Sequence, residues 1–157
     1  YTWVDQGSSY LPSELQAAYL YAQTESFHEI NDERLQLWSN YQKAFCGESK
    51  FITPTIPSEC QHNAHMFYLL CDSEKSRDEL NIALKNKGIT APSHYVPLHS
   101  SPAGKKFGEF VGKDRYTTEL SGRLIRLPLY YGMTIEDQEY VISCVYDVLE
   151  KKNLKAA

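Results

Sequence analysis

The sequence lacks long hydrophobic runs, paired cysteines and any excess of basic charge. No uninterrupted apolar run exceeds six residues, well short of the roughly 18 that suggest a membrane span, so no membrane partner is expected. The 16 basic residues are outnumbered by 20 acidic ones and the net charge is −4, so no nucleic-acid partner is expected either. The first residue is Tyr1 and no leader peptide is visible, which suggests a piece of a longer protein.

The four cysteines, at positions 46, 60, 71 and 144, form no CxxC pair and no regular spacing. This usage is typical of reduced thiols in the cytoplasm rather than of a disulfide framework. We therefore predict a cytoplasmic protein whose cysteines are packing residues. A chain of 157 residues with 42% hydrophobic side chains can fill one core without covalent staples.

Residues 1–47 predict a helical arm. The spacing of Ser13 and Gln16 is that of a capping box, which begins a helix. Apolar residues then recur at helical spacing as far as Gly47, and a polar stretch at residues 28–32 predicts a break.

Residues 48–157 predict a small α+β domain. The apolar run at 64–71 is typical of a buried strand, and a second capping-box spacing at 76–79 begins a helix that ends at Gly88. Thr134 caps a last helix with an apolar stripe. These elements favour a small sheet covered on one face by helices.

Prolines and glycines shape the middle of this domain. Pro92 and Pro97 restrict residues 89–98 to an edge strand or an extended loop. Glycines at 104, 108 and 112 predict a surface loop over residues 99–112, with a turn of helix near Phe107, and loops of this length tend to carry function.

One cluster has the residue types of a metal site. Cys60, His62 and His65 are close in sequence, and such groups can bind zinc. Their spacing matches no standard site, and extended backbone would direct the two histidines to opposite faces. A packing or surface role is therefore preferred, and no metal is expected, although a metal hydrolase remains an alternative that elemental analysis would expose.

The segment His94-Tyr95-Val96-Pro97-Leu98-His99 is stiffened by proline and opens into the glycine-rich loop. Alternation would place His94 and Val96 on one face and Tyr95 and Pro97 on the other. Imidazole and phenol groups suit contacts with phosphate or sugar oxygens. The same residues could equally be half-buried polar groups at a strand end.

Ser8 and Ser9 directly precede the first helix. Hydroxyls beside a flexible glycine near a helix N-terminus can form an anion site. A plain capping turn uses the same residues, and the pattern alone favours that interpretation.

Segments along the whole chain resemble, in order, the nucleotide-sugar aminotransferases of the fold type I pyridoxal phosphate (PLP) class. The most specific are Gly7-Ser8-Ser9-Tyr10-Leu11 and the His94 to His99 segment. The other matching segments are 1–6, 13–20, 63–68, 102–104, 107–108, 114–118 and 124–129.

The resemblance implies the activity and the partners. In that family a lysine of the large N-terminal domain holds PLP as a Schiff base, and L-glutamate donates its amino group to a keto-sugar nucleotide. The implied acceptor is a dTDP-4-keto-6-deoxyhexose, and the implied assembly is a homodimer. This chain resembles the small C-terminal domain, and Lys43, Lys85 and Lys105 match no Schiff-base motif. No catalytic residue is therefore assigned, and the chain alone is expected to be inactive.

The resemblance also implies two sets of site residues. Many relatives carry an asparagine near Ser9 that reaches the phosphate of the partner's PLP, and an arginine near Leu11. Both are replaced here, so cofactor binding is expected at Ser8 or Ser9, whose hydroxyls can donate to phosphate. His94, Tyr95 and His99 are the implied contacts to the sugar or its diphosphate.

An alternative of another class is a noncatalytic binding or dimerisation module without a coenzyme domain. The reading frame upstream of Tyr1 discriminates the two hypotheses, because a coenzyme domain with a lysine motif supports the first and a stop codon the second.

Overall fold

Two consecutive helices form the N-terminal part of the computed structural model, which describes residues 10–156 and the side chains of residues 10–150. Helix α1 spans Glu14–Glu25 and α2 spans Phe27–Phe45. The predicted capping box is confirmed: the Ser13 hydroxyl accepts from the Gln16 amide at 3.3 Å, and the Gln16 side chain accepts from the Ser13 amide at 2.8 Å. The break lies at Ser26 rather than at 28–32, because polar residues fit an exposed helix face without ending the helix.

The two helices differ in what they bury. Helix α1 has no buried residue, whereas the second half of α2 buries Leu37, Trp38, Tyr41 and Phe45 in the main core. Tyr41 also donates its hydroxyl to the Pro128 carbonyl at 2.8 Å. Buried apolar side chains and the Tyr41 hydrogen bond therefore hold α2 against the rest of the described structure.

The sheet has three antiparallel strands in the order β1, β2, β3. Strand β1 spans Phe51–Ile52, β2 spans Phe67–Cys71 and β3 spans Leu124–Leu127. Phe67 is opposite Leu127 in the register. Phe67, Leu69 and Cys71 alternate with less buried residues, so one face of β2 lies in the core.

Four further helices complete an α+β fold, as predicted. They are α3 at Glu74–Asn86, α4 at Pro102–Phe107, α5 at Thr117–Arg123 and α6 at Ile135–Ala156. A single 3₁₀ turn at Leu98–Ser100 precedes α4. Across residues 10–156 no helix combines the length and apolar character needed to cross a membrane.

Helix α3 begins earlier than the sequence predicts. Its N-cap is Ser73, whose hydroxyl accepts from the Ser76 amide at 3.1 Å, so the capping box assigned to 76–79 is wrong. Competing serines three residues apart give the same local signal. The predicted end is confirmed at Gly88, which has φ +78°, and Thr134 accepts from the Asp137 amide at 3.0 Å as a cap should.

The cysteine prediction holds for half of the set. Cys71 and Cys144 are buried in the core, but Cys46 and Cys60 are exposed. Cys46 is the C-terminal cap of α2, and the Cys60 amide closes a turn onto the Pro57 carbonyl. Cys46 thus lies at the end of a helix and Cys60 in the loop between β1 and β2, and such segments lie at the surface.

Candidate functional site

His99 is held in place by a short hydrogen-bonded cluster. Its Nε2 atom lies 2.9 Å from Oδ2 of Asp114 and 3.3 Å from Oγ1 of Thr118. The ring also packs on Phe110, with a centroid distance of 4.5 Å. The cluster therefore connects the 3₁₀ turn, the loop that follows α4 and the first turn of α5.

Asp114 lies at the centre of this cluster, and its hydrogen bonds favour the ionised form of its carboxyl group. Thr118 donates its hydroxyl to Asp114, and this bond, supported by the Thr118 amide and by His99, lowers the pKa of Asp114. An ionised carboxylate accepts hydrogen bonds only. When it accepts from the Nε2–H of His99, the tautomer is fixed and Nδ1 is the ring nitrogen left for another partner.

His94 and Tyr95 line a separate cavity of about 200 Å³, together with Arg77 and Thr118. Their rings meet edge to face at 4.9 Å. The Nδ1 atom of His94 is buried and has no hydrogen-bond partner among the described residues. Buried polar atoms nearly always have a hydrogen-bond partner, so this nitrogen is available to form a hydrogen bond with a bound molecule.

The predicted alternation along this segment is wrong. Tyr95 and Val96 are adjacent and both exposed, at 82% and 73%, while His94 is half-buried. Residues 89–97 form an extended loop and no strand, and their backbone bond to β3 runs from the Arg126 amide to the Pro92 carbonyl at 2.9 Å. A lone bond at a proline does not impose the pleat of a ladder.

His99 also lines a wider, mainly apolar groove of about 470 Å³ with Leu98, Phe107 and Glu109. The groove depends on Gly104: a Cβ atom there would lie 1.7 Å from the Leu98 carbonyl oxygen. The 3₁₀ turn and α4 can approach this closely only because residue 104 has no side chain.

Thr118 connects the candidate residues. It lines the cavity of His94 and Tyr95, and its hydroxyl contacts His99. The three predicted substrate contacts thus lie on two adjoining cavities rather than on one face. Sequence reasoning assigned no role to Asp114 or Thr118, although both belong to the 114–118 segment that resembles the family.

The candidate metal residues have other contacts. The His62 ring packs on Trp38 at 4.6 Å and its Nδ1 accepts from the Ala64 amide at 3.3 Å, while the His65 carbonyl accepts from Arg34 at 2.6 Å. In the part of the chain that the structure describes, no three His, Cys, Asp or Glu side chains come together as a metal site would require.

The described lysines do not fit the role of a Schiff-base residue. Lys43, Lys85 and Lys105 are exposed. Lys87 is half-buried, but its hydrogen bond to Asp147, at 2.5 Å, raises its pKa. A nucleophilic lysine needs the opposite shift. The predicted phosphate contacts, Ser8 and Ser9, lie outside the described residues.

These features define an α+β unit with two helices before a small sheet, and with a cluster of polar side chains beside it. Residues 2–146 match the DegT/DnrJ/EryC1/StrS aminotransferase family. The chain belongs to this family.

Individual relatives show how much of such a protein the chain represents. SpsC, a spore coat polysaccharide biosynthesis protein of Bacillus subtilis, is 30% identical over 142 residues, which are 87% of this chain and 36% of SpsC. The chain therefore spans little more than a third of this relative.

Solved structures share the fold. DesV of S. venezuelae, solved in complex with a ketimine intermediate, superposes with a TM-score of 0.84 at 24% identity, covering 94% of this chain and 39% of DesV. PseC of Helicobacter pylori, an aminotransferase involved in the biosynthesis of pseudoaminic acid, has a TM-score of 0.78 at 17% identity, covering 88% of this chain and 38% of PseC.

Proposed function

We propose that this chain is the C-terminal part of a PLP-dependent sugar aminotransferase. The parent enzyme transfers an amino group from L-glutamate to a dTDP-4-keto-6-deoxyhexose, as dTDP-4-amino-4,6-dideoxygalactose transaminases do, in the biosynthesis of cell-surface polysaccharide. The family match over residues 2–146 supports the reaction type, and the acceptor follows from the resemblance of the quoted segments.

The observation that carries the proposal is the arrangement around Thr118. His94 offers a buried nitrogen without a described partner, and His99 offers the nitrogen that its bond to Asp114 leaves free. With the exposed ring of Tyr95, they present polar groups on two adjoining cavities. Such groups suit the hydroxyl and phosphate oxygens of a sugar nucleotide.

In this proposal the chain binds and orients the acceptor and performs no chemical step itself. The Schiff-base lysine lies in a separate coenzyme domain, since the described lysines do not fit that role. Ser8 or Ser9 binds the phosphate of the partner's PLP across a homodimer. The cap of α1 is Ser13, so the proposed phosphate contact does not compete with the capping of this helix.

The proposed organisation follows the predicted boundaries. Residues 1–47 form the arm that leads to the coenzyme domain, and residues 48–157 form the small domain. Helix α1 has exposed apolar side chains at Leu15 and Tyr19, as expected of a segment that packs on another part of the parent. The parent works in the cytoplasm, without nucleic acid or membrane as partners.

The test is amination by the full-length protein. In the presence of PLP and L-glutamate, we expect a dTDP-4-keto-6-deoxyhexose to be converted to the amino sugar. Mass spectrometry of the nucleotide measures this conversion. A UDP-linked keto sugar serves as the control for the acceptor. Amination of the control alone would contradict the proposed acceptor, and amination of neither would contradict the proposed function.

A further inference from the structure

Ala64 has a backbone conformation that alanine rarely adopts. Its φ is +50°, and among the described residues it is the one position other than glycine with a positive φ. In this left-handed conformation Cβ crowds the following carbonyl oxygen, so the residue found there is usually glycine. The Ala64 side chain is also buried, with 1% exposed. A strained residue of this kind persists only where its surroundings hold it in place.

Side chains hold the backbone of Ala64 on both sides. Its amide donates to Nδ1 of His62 at 3.3 Å, and its carbonyl accepts from Arg34 at 2.9 Å. The same guanidinium nitrogen donates to the carbonyl of His65 at 2.6 Å. The His62 ring is in turn packed on Trp38, with a centroid distance of 4.6 Å. Because Arg34 and Trp38 both belong to α2, this helix holds the turn at residues 62–65 that leads into β2.

The hydrogen bonds of Arg34 differ from those of two other arginines. Arg77 and Arg123 each donate to a backbone carbonyl and also pair with a carboxylate. Within the described part of the chain, Arg34 donates to backbone carbonyls alone. Hydrogen bonds from a charged donor are stronger than those between neutral groups. Arg34 is therefore suited to hold the backbone of residues 64 and 65 in an unfavourable conformation.

The turn borders the segment that carries the proposed acceptor contacts. His65 and Met66 line a cavity of about 220 Å³, and Pro92 lines the same cavity. Pro92 comes two residues before His94, and its carbonyl accepts from an amide of β3 at 2.9 Å. If Ala64 relaxed to extended backbone, the cavity wall at residues 65 and 66 would move beside this segment.

We propose that Arg34 is a positioning residue for acceptor binding. It keeps Ala64 in the left-handed conformation and thereby fixes the cavity wall beside the segment that carries His94. The inference rests on the proposed function, which places the acceptor contacts on that segment. Arg34 acts through the backbone of residues 64 and 65 and takes no part in the chemical steps. Its loss therefore weakens acceptor binding and leaves the glutamate half-reaction at its normal rate.

The test is a kinetic comparison of full-length variants. Arg34→Gln should raise KM for the dTDP-4-keto-6-deoxyhexose about 10-fold, because hydrogen bonds from a charged group are lost. Arg34→Lys, which keeps the charge but not the planar fork, should give a smaller rise. Adding Ala64→Gly to Arg34→Gln should restore most of the affinity, since glycine adopts the left-handed conformation without help. Arg123→Gln also removes a bond to a backbone carbonyl, and as the matched control its KM should be the same with and without Ala64→Gly.

Hydrogen exchange at the amide of residue 64 reports on the turn without turnover. Exchange should be faster in Arg34→Gln than in the unaltered protein and slow again when Ala64→Gly is added. Unchanged exchange, or a rise in KM that Ala64→Gly does not reduce, would overturn the inference while the proposed function stands. A slowed glutamate half-reaction at unchanged acceptor affinity would overturn it as well. If the unaltered protein aminates no sugar nucleotide, the proposed function fails and this positioning role fails with it.

Discussion

Nε2 of His99 and Oδ2 of Asp114 are 2.9 Å apart, although 15 positions separate the residues in sequence. The side chains are 22% and 23% exposed, so water competes only partly for the bond. This contact fixes the orientation of the His99 imidazole, which lines the mainly apolar groove beside Leu98 and Phe107. In the proposed enzyme it makes Asp114 a positioning residue for acceptor binding.

Replacing Asp114 by asparagine should lower stability in a pH-dependent way. The pKa of Asp114 is lowered by Thr118 and His99, so its contribution is present above the ordinary aspartate pKa of about 4 and lost as pH falls through the lowered value. The difference in melting temperature between Asp114→Asn and the unaltered chain should be largest near neutral pH and vanish in acid. The control is Asp72→Asn, which removes an exposed carboxylate outside the cluster of His99, Asp114 and Thr118. A difference that persists at low pH would contradict the account.

Gly104→Ala should disturb the groove. The new Cβ would meet the Leu98 carbonyl oxygen at 1.7 Å, and overpacking of this kind costs about 1 to 3 kcal/mol. Denaturant unfolding measures the loss. Gly108→Ala is the matched control, because its nearest neighbour would be at 3.3 Å. Equal free energies of unfolding for the two variants would show that the 3₁₀ turn and α4 can move apart without a cost in stability. That result would contradict the close contact described here.

The sequence predicts elements well where the signal is local. The cap at Ser13, the end of α3 at Gly88 and the cap at Thr134 are all confirmed, since each depends on residues within one turn. The start of α3 differs from the predicted one because Ser73 and Ser76 give equivalent local signals.

The site depends on long-range packing, which no local pattern encodes. Nothing in the sequence indicates that Asp114 meets His99, or that Arg34 reaches the carbonyls of residues 64 and 65. The alternation expected for residues 94–97 failed for the same reason, since a strand needs a partner strand that this segment does not have.

Replacing Ser8 and Ser9 together by alanine should weaken PLP binding by the full-length protein. Hydrogen bonds to a charged phosphate are worth on the order of 1.5 to 3 kcal/mol each. Equilibrium dialysis or the coenzyme absorbance gives the affinity. Ser13→Ala removes the observed cap of α1 and should leave the PLP affinity unchanged. If both variants weaken PLP binding equally, the loss comes from disturbing helix α1 and not from lost hydrogen bonds between Ser8 or Ser9 and the phosphate. That result would contradict the account.

The 157-residue chain incubated with PLP and borohydride should acquire no stoichiometric label on a lysine. The exposed lysines lack the buried, apolar surroundings that activate a nucleophilic amine, and the hydrogen bond to Asp147 raises the pKa of Lys87. Peptide mapping of the reduced protein measures the label. Full labelling of one lysine of this chain, with amination of a sugar nucleotide, would contradict the placement of the coenzyme lysine in another domain.

The most direct test of acceptor binding by this chain is a single-turnover comparison of the two half-reactions in the full-length His99→Ala variant. A group that binds the acceptor equally in its ground and transition states changes KM more than kcat. We expect KM for the keto-sugar nucleotide to rise while the glutamate half-reaction keeps its rate, and the exposed His28 provides a control variant, His28→Ala, with neither change. A slowed glutamate half-reaction at unchanged affinity for the sugar nucleotide would contradict the account.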